Sequence, residues 1–102
     1  MFVNGKEVSF LYTVGAFCEI NDYVLAHPDV SAATANLYKA VAMHKAWCEA
    51  HGEKPWLTVN DLRALPLIEY AEIVKEMDAA EKEGSKRTVE STEKKRAEKA
   101  KG

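Results

Sequence analysis

Beyond residue 84 the chain has almost no apolar side chains that a core could bury. From Ser85 to the C-terminus the only large apolar residue is Val89. Because the segment has so little apolar surface to bury, burial cannot offset the conformational entropy that the segment would lose on folding. The whole chain, at 102 residues, has the size of one small domain. The sequence therefore predicts one α+β domain at residues 1–84 and a charged tail at residues 85–102, either flexible or a solvated helix.

Charge divides the chain at the same place. Residues 1–84 hold seven Lys or Arg and 13 Asp or Glu, whereas residues 85–102 hold seven Lys or Arg and three Glu. The acidic body has no surplus of cations to replace the counterions of phosphate. The basic tail includes Lys94, Lys95 and Arg96 but no aromatic ring that could stack on a base. We therefore expect no specific binding of nucleic acid.

Two further classes of protein are disfavoured by the N-terminal half. The longest uncharged stretch, residues 8–18, is shorter than the roughly 20 apolar residues that a membrane-spanning helix needs. The N-terminal residues also lack the basic segment and following apolar run that are typical of a signal peptide. Cys18 and Cys48 are too few for a disulfide framework, so we expect free thiols and a cytoplasmic location.

Turn and capping residues predict the first elements. Asn4-Gly5 is a preferred pair for a type I′ turn and predicts a β-hairpin within residues 1–13, with a second strand from Lys6 to Thr13. Thr13 is a candidate N-cap for a first helix at about residues 14–26. The spacing that predicts this helix is formed by Val14, Phe17, Cys18, Asn21, Val24 and Leu25.

The later elements follow from similar signals. Pro28 ends the first helix, and Asp29 or Ser31 can cap a long second helix that reaches about His51. Thr58-x-x-Asp61 resembles a capping box and predicts a short third helix. A further helix begins at Pro66, and we expect it to end at Gly84. The predicted fold is a mainly α-helical α+β domain, with an N-terminal hairpin packed on three to four helices.

No pattern of residues predicts catalysis or a cofactor. His44, Cys48 and His51 share one helix face and could bind zinc, but they also continue an apolar stripe, so we expect no metal site. The regularly spaced carboxylates lie on an outward helix face, where burial cannot shift a pKa for acid–base work. These carboxylates are Glu69, Glu72, Glu76 and Glu83. We therefore expect a protein that is not an enzyme.

Trp56 is the one aromatic residue in the predicted linker between the second and third helices. Its neighbour Leu57 has the better position for a hydrophobic staple with Leu62. Trp56 is therefore either a packing residue or an exposed anchor for a partner. The candidate partner-binding residues are Trp56, Lys94, Lys95 and Arg96.

Four segments, taken in order, resemble tail assembly chaperones of long-tailed phages and prophages of low-GC Gram-positive bacteria. They are FVNGKE at 2–7, GAFCEIND at 15–22, LTVNDLRALP at 57–66 and TVE at 88–90, ahead of a Lys/Glu tail. The resemblance implies a non-enzymatic protein of the bacterial cytoplasm that binds the tape measure protein while the tail tube is built. It also implies the major tail protein as a second partner, and it leaves self-association open.

The resemblance further implies a longer product, made by a −1 ribosomal frameshift near the end of the reading frame. Glu93-Lys94-Lys95 could be encoded by a slippery heptamer of the form A-AAA-AAG. Two other functions remain open from the sequence. One is a structural or adaptor component of a phage tail, and the other is a small nucleic-acid-associated regulator that uses the basic tail.

Overall fold

The computed structural model describes the backbone of residues 1–101 and the side chains of residues 1–84. The described chain is mostly helical and has one antiparallel two-stranded hairpin at its N-terminus, as predicted for an α+β fold. The elements are β1 (Phe2–Val3), β2 (Lys6–Glu7), α1 (Val14–Ala26), α2 (Ala32–Ala50), α3 (Val59–Arg63) and α4 (Leu67–Lys101). None of the described helices combines the length and the apolarity that crossing a bilayer requires.

The hairpin has the predicted turn but a shorter second strand than predicted. Asn4 and Gly5 have φ angles of 52° and 77°, as a type I′ turn requires. The strand pairs are Phe2 with Glu7 and Val3 with Lys6, and the Val8 amide donates to the carbonyl of Met1 at 2.8 Å. The chain then runs along α2, where the Leu11 amide donates to the Met43 carbonyl at 3.0 Å.

Side-chain caps start the first two helices. The Thr13 hydroxyl accepts a hydrogen bond from the Ala16 amide at 3.1 Å and begins α1, as predicted. Of the two candidate caps for α2, Ser31 is used, because its hydroxyl accepts from the Thr34 amide at 3.1 Å. Each cap satisfies an amide that has no partner inside its own helix.

Asp61 joins the hairpin to α3. The Asp61 amide donates to the Thr58 hydroxyl at 3.2 Å, and the Thr58 amide donates to the Asp61 carboxylate at 2.9 Å, which completes the predicted capping box. The other carboxylate oxygen accepts from the side-chain amide of Asn4 at 2.9 Å. One carboxylate therefore fixes both the start of α3 and the position of the hairpin turn.

Helix α2 lies between two apolar clusters. The smaller cluster consists of Ala16, Ala42 and Ala46, on the contact between α1 and α2. Tyr12 packs against both clusters, so the segment after β2 connects them. The larger cluster joins α2 to the hairpin, α3 and α4, and consists of Val3, Val8, Ala40, Met43, Leu57, Leu62, Ile73 and Met77.

Gly84 lies inside α4, so the prediction that this helix ends there was wrong. A Cβ atom at position 84 would lie 3.0 Å from the backbone carbonyl oxygen of Tyr12. The glycine therefore lets α4 pass close to the segment after β2. The backbone of residues 85–101 continues α4, and their side chains lie outside the described residues, so the charged tail stays a prediction.

We predict that Asp61→Ala destabilises the protein by about 1–2 kcal/mol, because it removes a capping box and the tie to the hairpin together. On a domain of this size the melting temperature should fall by roughly 5–10 °C. Asn4→Gly keeps the positive φ and removes only the tie, so its effect should be smaller. Asp29→Ala, at an exposed position without an ion pair among the described residues, is the control. Equal melting of the Asp61 and Asp29 variants would contradict this account.

The glycines Gly15 and Gly84, both within helices, should respond differently to alanine. Gly15→Ala should stabilise the protein by about 0.5 kcal/mol, because helix propensity improves and the nearest atom to the new Cβ is 3.7 Å away. Gly84→Ala should give no gain, since its Cβ meets a backbone oxygen that cannot rotate away. Gly84→Val should cost about 1–3 kcal/mol through overpacking. Chemical denaturation measures all three, and an equal gain from both alanines would refute the close crossing at position 84.

Candidate interaction surface

One side of α1 is an apolar stripe that the rest of the described chain does not cover. We call it the α1 face; its members are Val14, Phe17, Cys18, Asn21, Val24 and Leu25. Three of its large side chains are more than half exposed: Val14 at 79%, Phe17 at 56% and Leu25 at 72%. These are the residues whose spacing predicts the helix, and they face away from the core.

The opposite side of α1 makes the contact with α2. Ala16 is buried against Ala42 and Ala46, and Ile20 packs beside them. Because alanine side chains are short, the two helices approach closely there. The large residues Val14, Phe17 and Leu25 lie on the outer surface of α1.

Stacked rings hold the C-terminal end of α1. The Tyr23 and Tyr38 rings stack with centroids 3.6 Å apart. The His27 ring also stacks on Tyr23, with centroids 4.3 Å apart. The His27 Nδ1 lies 3.0 Å from the Tyr23 carbonyl. Since Pro28 follows at once, these contacts fix the helix end and leave the α1 face outward.

The surroundings of the α1 face are acidic. No Lys or Arg occurs between Lys6 and Lys39. Glu19 is paired with Lys45 at 2.8 Å, and this hydrogen bond raises the pKa of the Lys45 ammonium. No ion pair within the described residues involves Asp22 or Asp29. Their carboxylates therefore give the surface an uncompensated negative charge.

A shallow cleft lies between α1 and α2, next to the Glu19–Lys45 ion pair. Its volume is about 200 Å³, which is below the range of roughly 300–1,000 Å³ typical of small-molecule sites. Its walls are mostly apolar and are formed by Ile20, Tyr23, Tyr38, Val41 and Ala42. The cleft is therefore small for a ligand site, whereas the α1 face is an exposed apolar surface of a kind that a large partner can cover.

The structure brings two of the three candidate metal ligands together and separates the third. His44 and Cys48 are buried, with 3.4 Å between Nε2 and the thiol sulfur. His51 is exposed and stacks on Trp47, with its Nδ1 2.8 Å from the Trp47 carbonyl. No group of three His, Cys, Asp or Glu residues in the described part of the chain is arranged to hold a metal ion.

The partners of His44 assign its tautomer and the role of Cys48. The Ser9 carbonyl lies 3.2 Å from Nδ1 and can only accept, so Nδ1 carries a proton and Nε2 accepts from the Cys48 thiol. Burial raises the pKa of the Cys48 thiol, and the nearby Glu53 carboxylate adds to the shift. A nucleophilic cysteine needs a lowered pKa, so this pair has the chemistry of a satisfied core contact.

Among the residues proposed from the sequence, the described side chains include only Trp56. It is half-buried against the larger cluster, and its ring meets that of His44 edge-on at 5.3 Å. The Lys6 ammonium lies over the ring at 5.3 Å from its centroid. Trp56 is thus held at the edge of the core, while the side chains of Lys94, Lys95 and Arg96 lie outside the described residues.

The search for similar proteins gave no further guide to function. No protein-family model, curated protein or solved structure matches the chain. The geometry of the described residues is therefore the basis for assigning a function.

We predict that the two thiols differ strongly in reactivity. Cys18 lies exposed on the α1 face and Cys48 is buried with a raised pKa, so a maleimide at pH 7 should modify one thiol per native chain. Cys48 should react at least 100-fold more slowly and become accessible in denaturant. Mass spectrometry after partial labelling gives both rates, with Cys18→Ser as the control. Equal rates in the native protein would show that Cys48 is not enclosed by the core.

Proposed function

We propose that the chain is a non-enzymatic tail assembly chaperone of a long-tailed phage or prophage, and that it binds the tape measure protein before the tail tube surrounds it. The observation that carries the proposal is the α1 face, an apolar stripe left outward on a folded body. Contiguous exposed apolar surface marks a site for another macromolecule. The order of sequence segments that resemble this family supports the same role.

The form of the surface suits temporary binding. A chaperone of this kind has to cover apolar segments of an unassembled partner and then leave as tube subunits replace it. A stripe on a helix of 13 residues, about 20 Å long, buries too little area for a permanent complex. It favours exchange, because small interfaces dissociate quickly.

The acidic body also supports a protein partner over nucleic acid. A surface without Lys or Arg between positions 6 and 39 would repel phosphate groups. The place of action under this proposal is the cytoplasm of the bacterial host. Lys94, Lys95 and Arg96 of the tail, together with Trp56, remain candidate contacts for the tape measure protein or the major tail protein.

The test is co-expression of the full-length chain with the tape measure protein of the same phage or prophage. We expect the tape measure protein to remain in the soluble fraction and to co-elute with the chain, and finished tails to lack the chain. An acidic protein of equal size is the control, because it should leave the tape measure protein aggregated.

Other outcomes would overturn the proposal and select another function. Stoichiometric amounts of the chain in finished tails would make it a structural or adaptor component. Sub-micromolar, sequence-dependent binding to duplex DNA at physiological salt would make it a regulator. Absence of co-elution and of any gain in solubility would exclude the chaperone role directly.

A further inference from the structure

We propose that the α1 face binds one amphipathic helix of a partner protein, with an apolar stripe on that helix and Lys or Arg beside the stripe. The identity of the partner as the tape measure protein rests on the function proposed above. The chemistry of the partner segment rests on the spacing, exposure and charge of the described residues.

The spacing on the α1 face is that of a helix that packs along another helix. Its members recur at intervals of three and four over two heptads, from Val14 to Leu25. Such a seam accepts the side chains of one partner helix between its own. Asn21 lies in the middle of the seam and is exposed. A single polar residue at such a position fixes the register of pairing, so we expect a polar residue opposite it.

The charge beside the α1 face predicts which side chains flank the apolar stripe of the partner helix. Asp22 and Asp29 lie beside and beyond the seam, and neither forms an ion pair within the described residues. No Lys or Arg occurs between Lys6 and Lys39, and Lys45 of α2 is already paired with Glu19, so the unpaired charges on α1 and just beyond it are negative. Cationic side chains on the partner would complement them and speed the encounter.

The same charge disfavours a second copy of this chain. A symmetric dimer through the α1 face would bring together two surfaces that both carry the unpaired carboxylates Asp22 and Asp29, with no cation from this part of the sequence to separate them. The seam is also only about 20 Å long and one helix wide, whereas stable interfaces bury about 800 Å² on each partner.

The basic tail of the chain is excluded as the occupant by its composition. It has the complementary charge, but Val89 is its only large apolar residue. It cannot fill a seam whose exposed members include Val14, Phe17 and Leu25. A partner segment has to supply both the apolar stripe and the cations.

The first experiment uses designed peptides as probes on the full-length, ¹⁵N-labelled protein. One peptide is a two-heptad helix with a leucine stripe and flanking lysines, and its twin carries glutamates in place of the lysines. We expect the lysine peptide to shift amide signals of α1, and the glutamate peptide to bind at least tenfold more weakly. Equal affinity of the twins, or signals that move elsewhere and not in α1, would overturn the proposal.

Matched variants locate the surface. Leu25→Glu alters the α1 face, and Ile68→Glu introduces the same charge at an equally exposed apolar residue of α4, 78% exposed against 72%. We expect at least tenfold weaker binding of the lysine peptide to the first variant and less than a twofold change for the second. The new glutamate attracts the lysines, so a loss at Leu25 reports apolar contact. Phe17→Ser gives an independent variant if Leu25→Glu alters the circular dichroism spectrum. Equal effects at positions 25 and 68 would refute the proposal.

Two further measurements separate the possible failures. If the wild-type chain binds the tape measure protein and Leu25→Glu binds it equally well, the α1 face is wrong while the proposed function stands. If the lysine peptide binds through α1 but the tape measure protein does not bind at all, the function is wrong while the surface stands. Light scattering should show a monomer up to about 200 μM, and a dimer lost in Leu25→Glu would assign the face to a second copy.

Discussion

The contact between α1 and α2 depends on three alanines, and this contact decides which side of α1 is exposed. Ala16, Ala42 and Ala46 bring the two helices close together. Ile20 and Tyr23 also face α2, while Val14, Phe17 and Leu25 lie on the other side of α1, away from the core. The surface proposed to bind a partner is therefore a direct result of how the body packs, and both follow from the same helix.

Helix α2 is the central element of the fold, because other elements pack against two of its sides. On one side it meets α1, and on the other it contributes Ala40 and Met43 to the cluster shared by the hairpin, α3 and α4. His44 lies within this packing and is fully hydrogen-bonded through Ser9 and Cys48. Burial of a polar ring costs little when both nitrogens have partners.

Local chemistry made the hairpin turn and the helix starts predictable from the sequence. Asn4-Gly5 and the capping residue Thr13 act over three or four residues, and the structure has them as expected. The outward direction of the α1 face, by contrast, depends on contacts with α2 such as that between Ala16 and Ala42, which are far apart in the sequence. Gly84 was misread for the same reason, since its neighbour Tyr12 is distant in sequence. The sequence does carry one signal for the charge of this surface, because no Lys or Arg occurs between Lys6 and Lys39.

The small alanine cluster has a consequence for the energy landscape of the molecule. Release of α1 would break the contacts of Ala16 and Ile20 and the ring stack at Tyr23, and would leave the larger cluster whole. Local opening of this kind costs less than global unfolding, in proportion to the apolar contacts that it breaks. The binding surface and the folded body therefore have separate stabilities, and substitutions along the α1–α2 contact can change one while the other is preserved.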